Sequence, residues 1–130
     1  MSINEEHRQT DIAAEMEAAA RTLAHSTRTI AVPSDSYALL GELHATTDHL
    51  SQICRQVAAW HDAAGDGTHY QGQDPSADGE TGAGTAAAAS GLRQAASALS
   101  EATQALMAAN GAVRWYPQPT PKEGDNDAAL

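Results

Sequence analysis

Hydrophobic residues recur with alternating spacings of three and four in three segments of this chain, and each segment predicts an amphipathic helix. The clearest pattern lies near the end, where leucine or valine stands at every seventh position with alanine between. Its members are Leu92, Ala95, Leu99, Ala102, Leu106, Ala109 and Val113. The pattern predicts a helix over residues 85–114 that offers this row as an interaction surface to the rest of the chain or to another subunit. Gly111 could end that helix before Val113.

The second segment, from about Asp35 to Ala64, carries the largest apolar side chains of the sequence. They follow the spacing of one helical face, on which Thr46 is the polar member. We predict that the large members of this face form the core of the protein: Leu39, Leu43, Leu50, Ile53, Val57 and Trp60. Gly65 is a residue type that commonly follows the end of a helix.

The first segment, from about Ser2 to Ile30, repeats the pattern with smaller side chains. Its predicted core residues are Ile12, Met16 and Leu23, and Ser2 with Glu5 fits a capping box. Pro33, in the break Ala31–Ser34, disfavours a continuous helix. A connection this short predicts that residues 1–64 form an antiparallel helical hairpin.

Two further stretches have no helical pattern. Residues 65–84 contain six glycines and four acidic residues but no lysine or arginine, which predicts a flexible linker. Residues 115–130 form a Pro-rich acidic tail that begins at Trp115. Its Trp115–Pro121 segment is either a proline-type ligand motif or an anchor that packs Trp115 onto the helices.

Composition limits both the core and the choice of partners. Alanine supplies 29 of 130 residues, and phenylalanine is absent, so the core is thin and association with another helix would stabilise it. The net charge of −10, without a basic cluster, disfavours nucleic acid and anionic membranes as partners. A single cysteine is compatible with a cytoplasmic location, and no apolar run is long enough to predict a transmembrane helix.

The residues that could carry chemistry do not form a recognisable constellation. His44 and Asp48 are four apart with His49 beside them, but a zinc site needs three or four converging ligands. Cys54 adjoins the predicted core, where a small thiol is commonplace. The glycines between 65 and 84 match neither a P-loop nor a dinucleotide-binding turn. We therefore predict no catalytic residue, no metal ligand and no cofactor.

One resemblance is carried by the first 74 residues. Two helices followed by Tyr70-Gln71-Gly72-Gln73-Asp74 resemble the helical hairpin and the Tyr-x-x-x-Asp/Glu signal of type VII secretion substrates of actinobacteria. That resemblance implies export by a route that needs no signal peptide. The Trp-x-Gly turn of those substrates is replaced here by Ala31-Val32-Pro33-Ser34.

The sequence thus predicts an all-α protein, a helical hairpin with a third long helix, in a three-helix bundle or an oligomeric coiled-coil-like assembly. The function expected is that of a non-enzymatic helical interaction or assembly subunit, in the cytoplasm of a bacterium. Its partner is a second copy of itself or another helical protein. The alternatives are an exported type VII-like substrate and a small metal-dependent enzyme.

Overall fold

The computed structural model describes residues 5–64 and 83–113, and within them the chain forms a short 3₁₀ helix, Glu6–Arg8, and three α-helices. We number these α1 (Gln9–Ser26), α2 (Asp35–Ala64) and α3 (Ala83–Val113). No strand occurs in the described residues. The predicted all-α class is therefore confirmed.

Helix α1 is shorter than the sequence pattern suggested. Its last turn closes where the amide of Thr27 donates to the carbonyl of Leu23 at 2.9 Å, so the helix ends at Ser26 and not at Ile30. At its other end Glu5 accepts a hydrogen bond from Arg8 at 2.7 Å, and the predicted partner of Glu5, Ser2, lies outside the described residues. An ion pair between Glu17 and Arg21, four residues apart, supports the middle of the helix.

The predicted break between the first two segments is confirmed. The amide of Asp35 donates to the carbonyl of Val32 at 2.8 Å, and that of Ser36 donates to the carbonyl of Pro33 at 3.0 Å. These bonds form a turn that leads directly into α2. Helix α2 then has the bounds that the hydrophobic pattern predicted.

The described residues divide into two units, of which residues 5–36 form one and residues 37–64 with 83–113 the other. The first unit contains α1, and no residue of that helix is buried. Ile12, Met16 and Leu23 are 36–41% exposed, and their assignment as core residues stays a prediction. The predicted pairing of the first segment with the second stays a prediction.

The second unit is an antiparallel pair formed by α2 and α3. As the residue number increases along α2, the number of the contacted residue of α3 decreases. Tyr37 contacts Asn110, Thr47 contacts Thr103, and Asp62 contacts Arg93. Helix α3 begins at Ala83, two residues before the predicted start, and continues through Gly111 to Val113. Residues 65–82 and 114–130, which include most of the predicted linker and the tail, lie outside the described residues.

Candidate interaction surface

The contact between α2 and α3 is made of small side chains. We call it the inner seam, and its fully or nearly fully buried members are Ser51, Ala58, Thr85, Ala89, Ala96 and Thr103, with Thr47 beside them. Helix axes approach each other more closely when the side chains at the contact are small. Small side chains at these positions are typical of two helices that approach each other closely.

Ser51 is the polar centre of the inner seam and has no exposed surface. Its hydroxyl donates to the main-chain carbonyl of Ala96 at 2.9 Å. The same oxygen accepts from a guanidinium nitrogen of Arg55 at 2.7 Å and pairs with the hydroxyl of Ser100 at 3.0 Å. A serine hydroxyl offers one donor and two acceptor positions, so all three are in use when Ser100 is the donor in the last pair.

A second polar contact lies further along the inner seam. The hydroxyls of Thr47 and Thr103 are 2.7 Å apart. Each hydroxyl also reaches a carbonyl of its own helix, Thr103 that of Leu99 at 2.8 Å and Thr47 that of His44 at 3.1 Å, so either threonine can be the donor between the two. Two hydroxyl pairs, one at Ser51 and one at Thr47, therefore align the helices within the seam.

Polar contacts also join the two ends of the helix pair. At one end the side-chain amide of Asn110 donates to the carbonyl of Tyr37 at 2.7 Å. At the other end Arg93 forms an ion pair with Asp62. The alignment set in the seam is thus maintained along the length of the pair.

The two residues of α2 that are buried in the helix pair lie one position along the helix from Leu50 and Val57 of the predicted core row. The buried positions are Ser51 and Ala58, whereas Ile53, Val57 and Trp60 are 45%, 39% and 49% exposed. A shift of one residue turns a helical face by about 100°. The predicted leucines at the other end, Leu39, Leu43 and Leu50, are half-buried at the edge of the contact.

For α3 the predicted row lies beside the inner seam. Leu92, Leu99 and Leu106 are half-buried, as are Ala95, Ala102 and Val113, and Ala109 is exposed. The buried positions, Ala89 and Ala96, lie three residues before leucines of that row. That this row is an interaction surface stays a prediction.

Many of the large residues of both helices line one side of the hairpin, whereas Met107 of α3, which is 51% exposed, lies on the other side. Leu50 and Val57 each precede a buried residue of α2, and Ala95 and Ala102 each precede a buried residue of α3. In two right-handed helices that run in opposite directions, positions displaced the same way from the contact lie on the same side of the pair. We call this side the apolar face, and its members are Leu43, Leu50, Ile53, Val57 and Trp60 with Leu92, Ala95, Leu99, Ala102 and Leu106.

In the described part of the hairpin, charge lies on the other sides. The charged residues of α3 there are Arg93 and Glu101, and the spacing of both places them on the far side of the inner seam. Asp48, Arg55 and Asp62 of α2 project to that same far side. The apolar face is therefore free of charged residues between its two helices, and Glu42, which lies eighteen residues before Trp60 and so at the same angle on α2, stands at its outer edge.

The residues considered for chemistry are scattered. His44 is half-buried, whereas Asp48 and His49 are exposed. Within residues 5–64 and 83–113, no group of three or more histidine, cysteine, aspartate or glutamate side chains is placed to hold a metal ion. Cys54 is a free thiol that is partly exposed. The Tyr70–Asp74 motif lies outside the described residues.

None of the described helices combines the length and the apolarity that a membrane crossing requires. Comparison with protein-family models, with curated proteins and with solved structures gives no match for this chain. The inner seam and the apolar face are therefore the features from which a function can be inferred.

Proposed function

We propose that this protein is a non-enzymatic helical assembly subunit that associates with another helical surface through its apolar face. The observation that carries the proposal is the exposure of Ile53, Val57 and Trp60, which stand in one row of α2 with nearly half of each side chain in water. Monomeric proteins rarely expose contiguous apolar patches larger than a few hundred Å². A face that spans two helices reaches that size.

The energetics of the hairpin point the same way. Fully burying a large apolar side chain stabilises a protein by about 1.5–3 kcal/mol, so covering the exposed half of three such residues contributes roughly 3 kcal/mol. Alanine, serine and threonine in the inner seam bury little apolar area in comparison. A partner that binds only the folded hairpin would therefore add substantially to its stability.

The hydrogen bonds of the polar groups in the inner seam indicate that these groups have a structural role. The proton of the Ser51 hydroxyl is engaged by the Ala96 carbonyl, and the oxygen is enclosed by Arg55 and Ser100. A nucleophilic serine needs an accessible oxygen and a base that takes its proton. We propose that assembly takes place in the cytoplasm, where a single free thiol such as Cys54 is stable.

Two substitutions in adjacent residues test the proposal. Ile53→Asp places a carboxylate in the apolar face, and Gln52→Asp places the same group one residue away on an exposed position outside it. Both add one negative charge to α2. Sedimentation velocity over a hundredfold range of concentration should show an assembled wild type, an assembled Gln52→Asp variant and a dispersed Ile53→Asp variant.

Circular dichroism measures the helical content of both variants. That content must equal that of the wild type, so that dispersal is distinguished from unfolding. A wild type that sediments as a monomer throughout, with Ile53→Asp indistinguishable from Gln52→Asp in sedimentation and in melting temperature, would show that the apolar face is not an assembly surface.

A further inference from the structure

We infer that the occupant of the apolar face is a second copy of this chain, stacked so that α2 of each copy lies on α3 of the other. The result is a four-helix arrangement with a two-fold axis parallel to the helices. The inference rests on the proposed function and deepens it, because it names the partner and the pairing.

The side chains of the two helices are complementary in size. On the apolar face α2 presents large side chains, Ile53, Val57 and Trp60 among them, whereas the outer row of α3 includes small ones such as Ala95 and Ala102. Well-packed contacts place large residues opposite small ones. A two-fold axis parallel to the helices brings the bulky helix of each copy onto the alanine helix of the other, and so satisfies both halves of the contact at once.

The positions of these residues along the helix axis agree with that arrangement. Ser51 contacts Ala96 and Ser100, which fixes the level at which α2 and α3 meet. Trp60 lies nine residues after Ser51 on α2, and Gly91 lies nine residues before Ser100 on α3. Because the two helices are antiparallel, Trp60 and Gly91 have the same position along the hairpin axis. Rotation about an axis parallel to the helices does not change the position of a residue along that axis. Trp60 of one copy therefore faces Gly91 of the other. A Cβ atom added to Gly91 would meet nothing within 4 Å in a single chain, so the space above it is open.

The area of the apolar face is large enough for a dimer. Residues 39–60 of α2 extend over roughly 32 Å, and two helices 8–10 Å apart present a face about 20 Å wide. The product is roughly 650 Å² of contact for each copy. Stable specific interfaces bury about 1,200–2,000 Å² in total, so two such faces together reach the lower part of that range.

Electrostatics allow two acidic chains to meet in this way. The protein has a net charge of −10, and two copies would repel each other if their acidic groups approached. Glu42 stands with Trp60 at the outer edge of the apolar face, and Asp48, Asp62 and Glu101 stand on the far side of the inner seam, so no charge lies between the facing helices. Charges separated by more than about 8 Å of physiological salt solution are largely screened.

Disulfide trapping in the full-length chain tests the pairing. Two proteins are made in a Cys54→Ser background, one with Val57→Cys and the other with Ala95→Cys, and are mixed in a glutathione redox buffer. Because the two new cysteines are on different molecules, any disulfide between them is intermolecular. We expect the mixed disulfide to be the main product, with light scattering giving twice the chain mass.

Two glycines supply a matched second measurement. Gly91→Leu fills the space facing Trp60, whereas Gly111→Leu adds the same side chain at an open position off the face. Leucine favours a helix more than glycine does, so both variants should retain their helicity. We expect Gly91→Leu to weaken dimerisation at least tenfold and Gly111→Leu to leave it within twofold.

The outcomes separate the inference from the function beneath it. An assembly of another size overturns the inference alone, as does a dimer in which Leu50→Cys links to itself, since that product requires α2 to lie on α2. Equal dimerisation of the Gly91→Leu and Gly111→Leu variants does the same. A chain that is monomeric at every concentration overturns both the inference and the proposed function.

Discussion

The two sides of α2 carry different kinds of side chain for contact with another helix. Its inner seam uses Thr47, Ser51 and Ala58, whose contacts with α3 are short, directional and largely polar. Its apolar face uses Ile53, Val57 and Trp60, whose contribution is non-directional and grows with the area covered. In an ordinary amphipathic hairpin the larger side chains fill the intrachain contact.

The difference assigns separate tasks to the two sides. Hydrogen bonds of the kind made by Ser51 each contribute only about 0.5–1.5 kcal/mol net, but they specify one alignment of the two helices. The apolar face can supply more free energy and less specificity. The hairpin therefore has a defined internal geometry together with an excess of apolar surface.

The largest expected effect comes from enlarging a residue of the inner seam. Ala58 has no exposed surface, so Ala58→Leu forces the helices apart and should lower the free energy of unfolding by about 1–3 kcal/mol. Ala59→Leu makes the same change at the neighbouring exposed position and should be nearly neutral. Urea unfolding followed by circular dichroism measures both. Equal effects would mean that Ala58 does not face α3.

A smaller effect is expected from removing one hydroxyl. Ser51→Ala leaves the Ala96 carbonyl without its side-chain donor and deprives Arg55 and Ser100 of a shared partner, at a cost of about 0.5–1.5 kcal/mol. Ser97→Ala removes an exposed hydroxyl from α3 as the control. Thermal unfolding at a single protein concentration would compare them. If Ser51→Ala melts no earlier than Ser97→Ala, the hydrogen bonds of the seam do not align the helices.

The smallest effect belongs to the ion pair at the end of the hairpin. Asp62 and Arg93 are each about half exposed, and pairs of that kind contribute roughly 0.2–1 kcal/mol. Asp62→Asn should therefore reduce stability slightly at low salt and not measurably at about 1 M salt, where screening is strong. Chemical denaturation at both salt concentrations checks this. A loss that persists at high salt would assign Asp62 a role other than charge pairing.

Much of the fold follows from the sequence because local signals mark helix ends. Pro33 and the residues around it place the start of α2 at Asp35, and the hydrophobic pattern places its end at Ala64. The pattern over α3 likewise gives its end at Val113. Helix α1 is the exception, since Ile30 continues the apolar spacing beyond the point at which the backbone turns at Thr27.

The candidate site was harder to predict because hydrophobic spacing identifies an apolar face without identifying its partner. Assigning the largest residues of α2 to the core placed Ile53 and Trp60 inside, and both are exposed. A signal for the true contact was present: Ser51 and Ala58 are seven apart, and so are Ala89, Ala96 and Thr103. Small residues at heptad spacing on both helices indicate a close contact, which counting only large side chains misses.

The hydrogen bonds of Ser51 also prevent one helix from sliding along the other. Because Ala89 and Ala96 are identical in size and seven residues apart, apolar packing alone would tolerate a displacement of α3 by one heptad, about 10 Å. Such a displacement would place Arg93 where Ser100 now lies and would separate Thr47 from Thr103. The buried serine thus sets the axial position of every residue on the outside of the hairpin, which any surface that must match another requires.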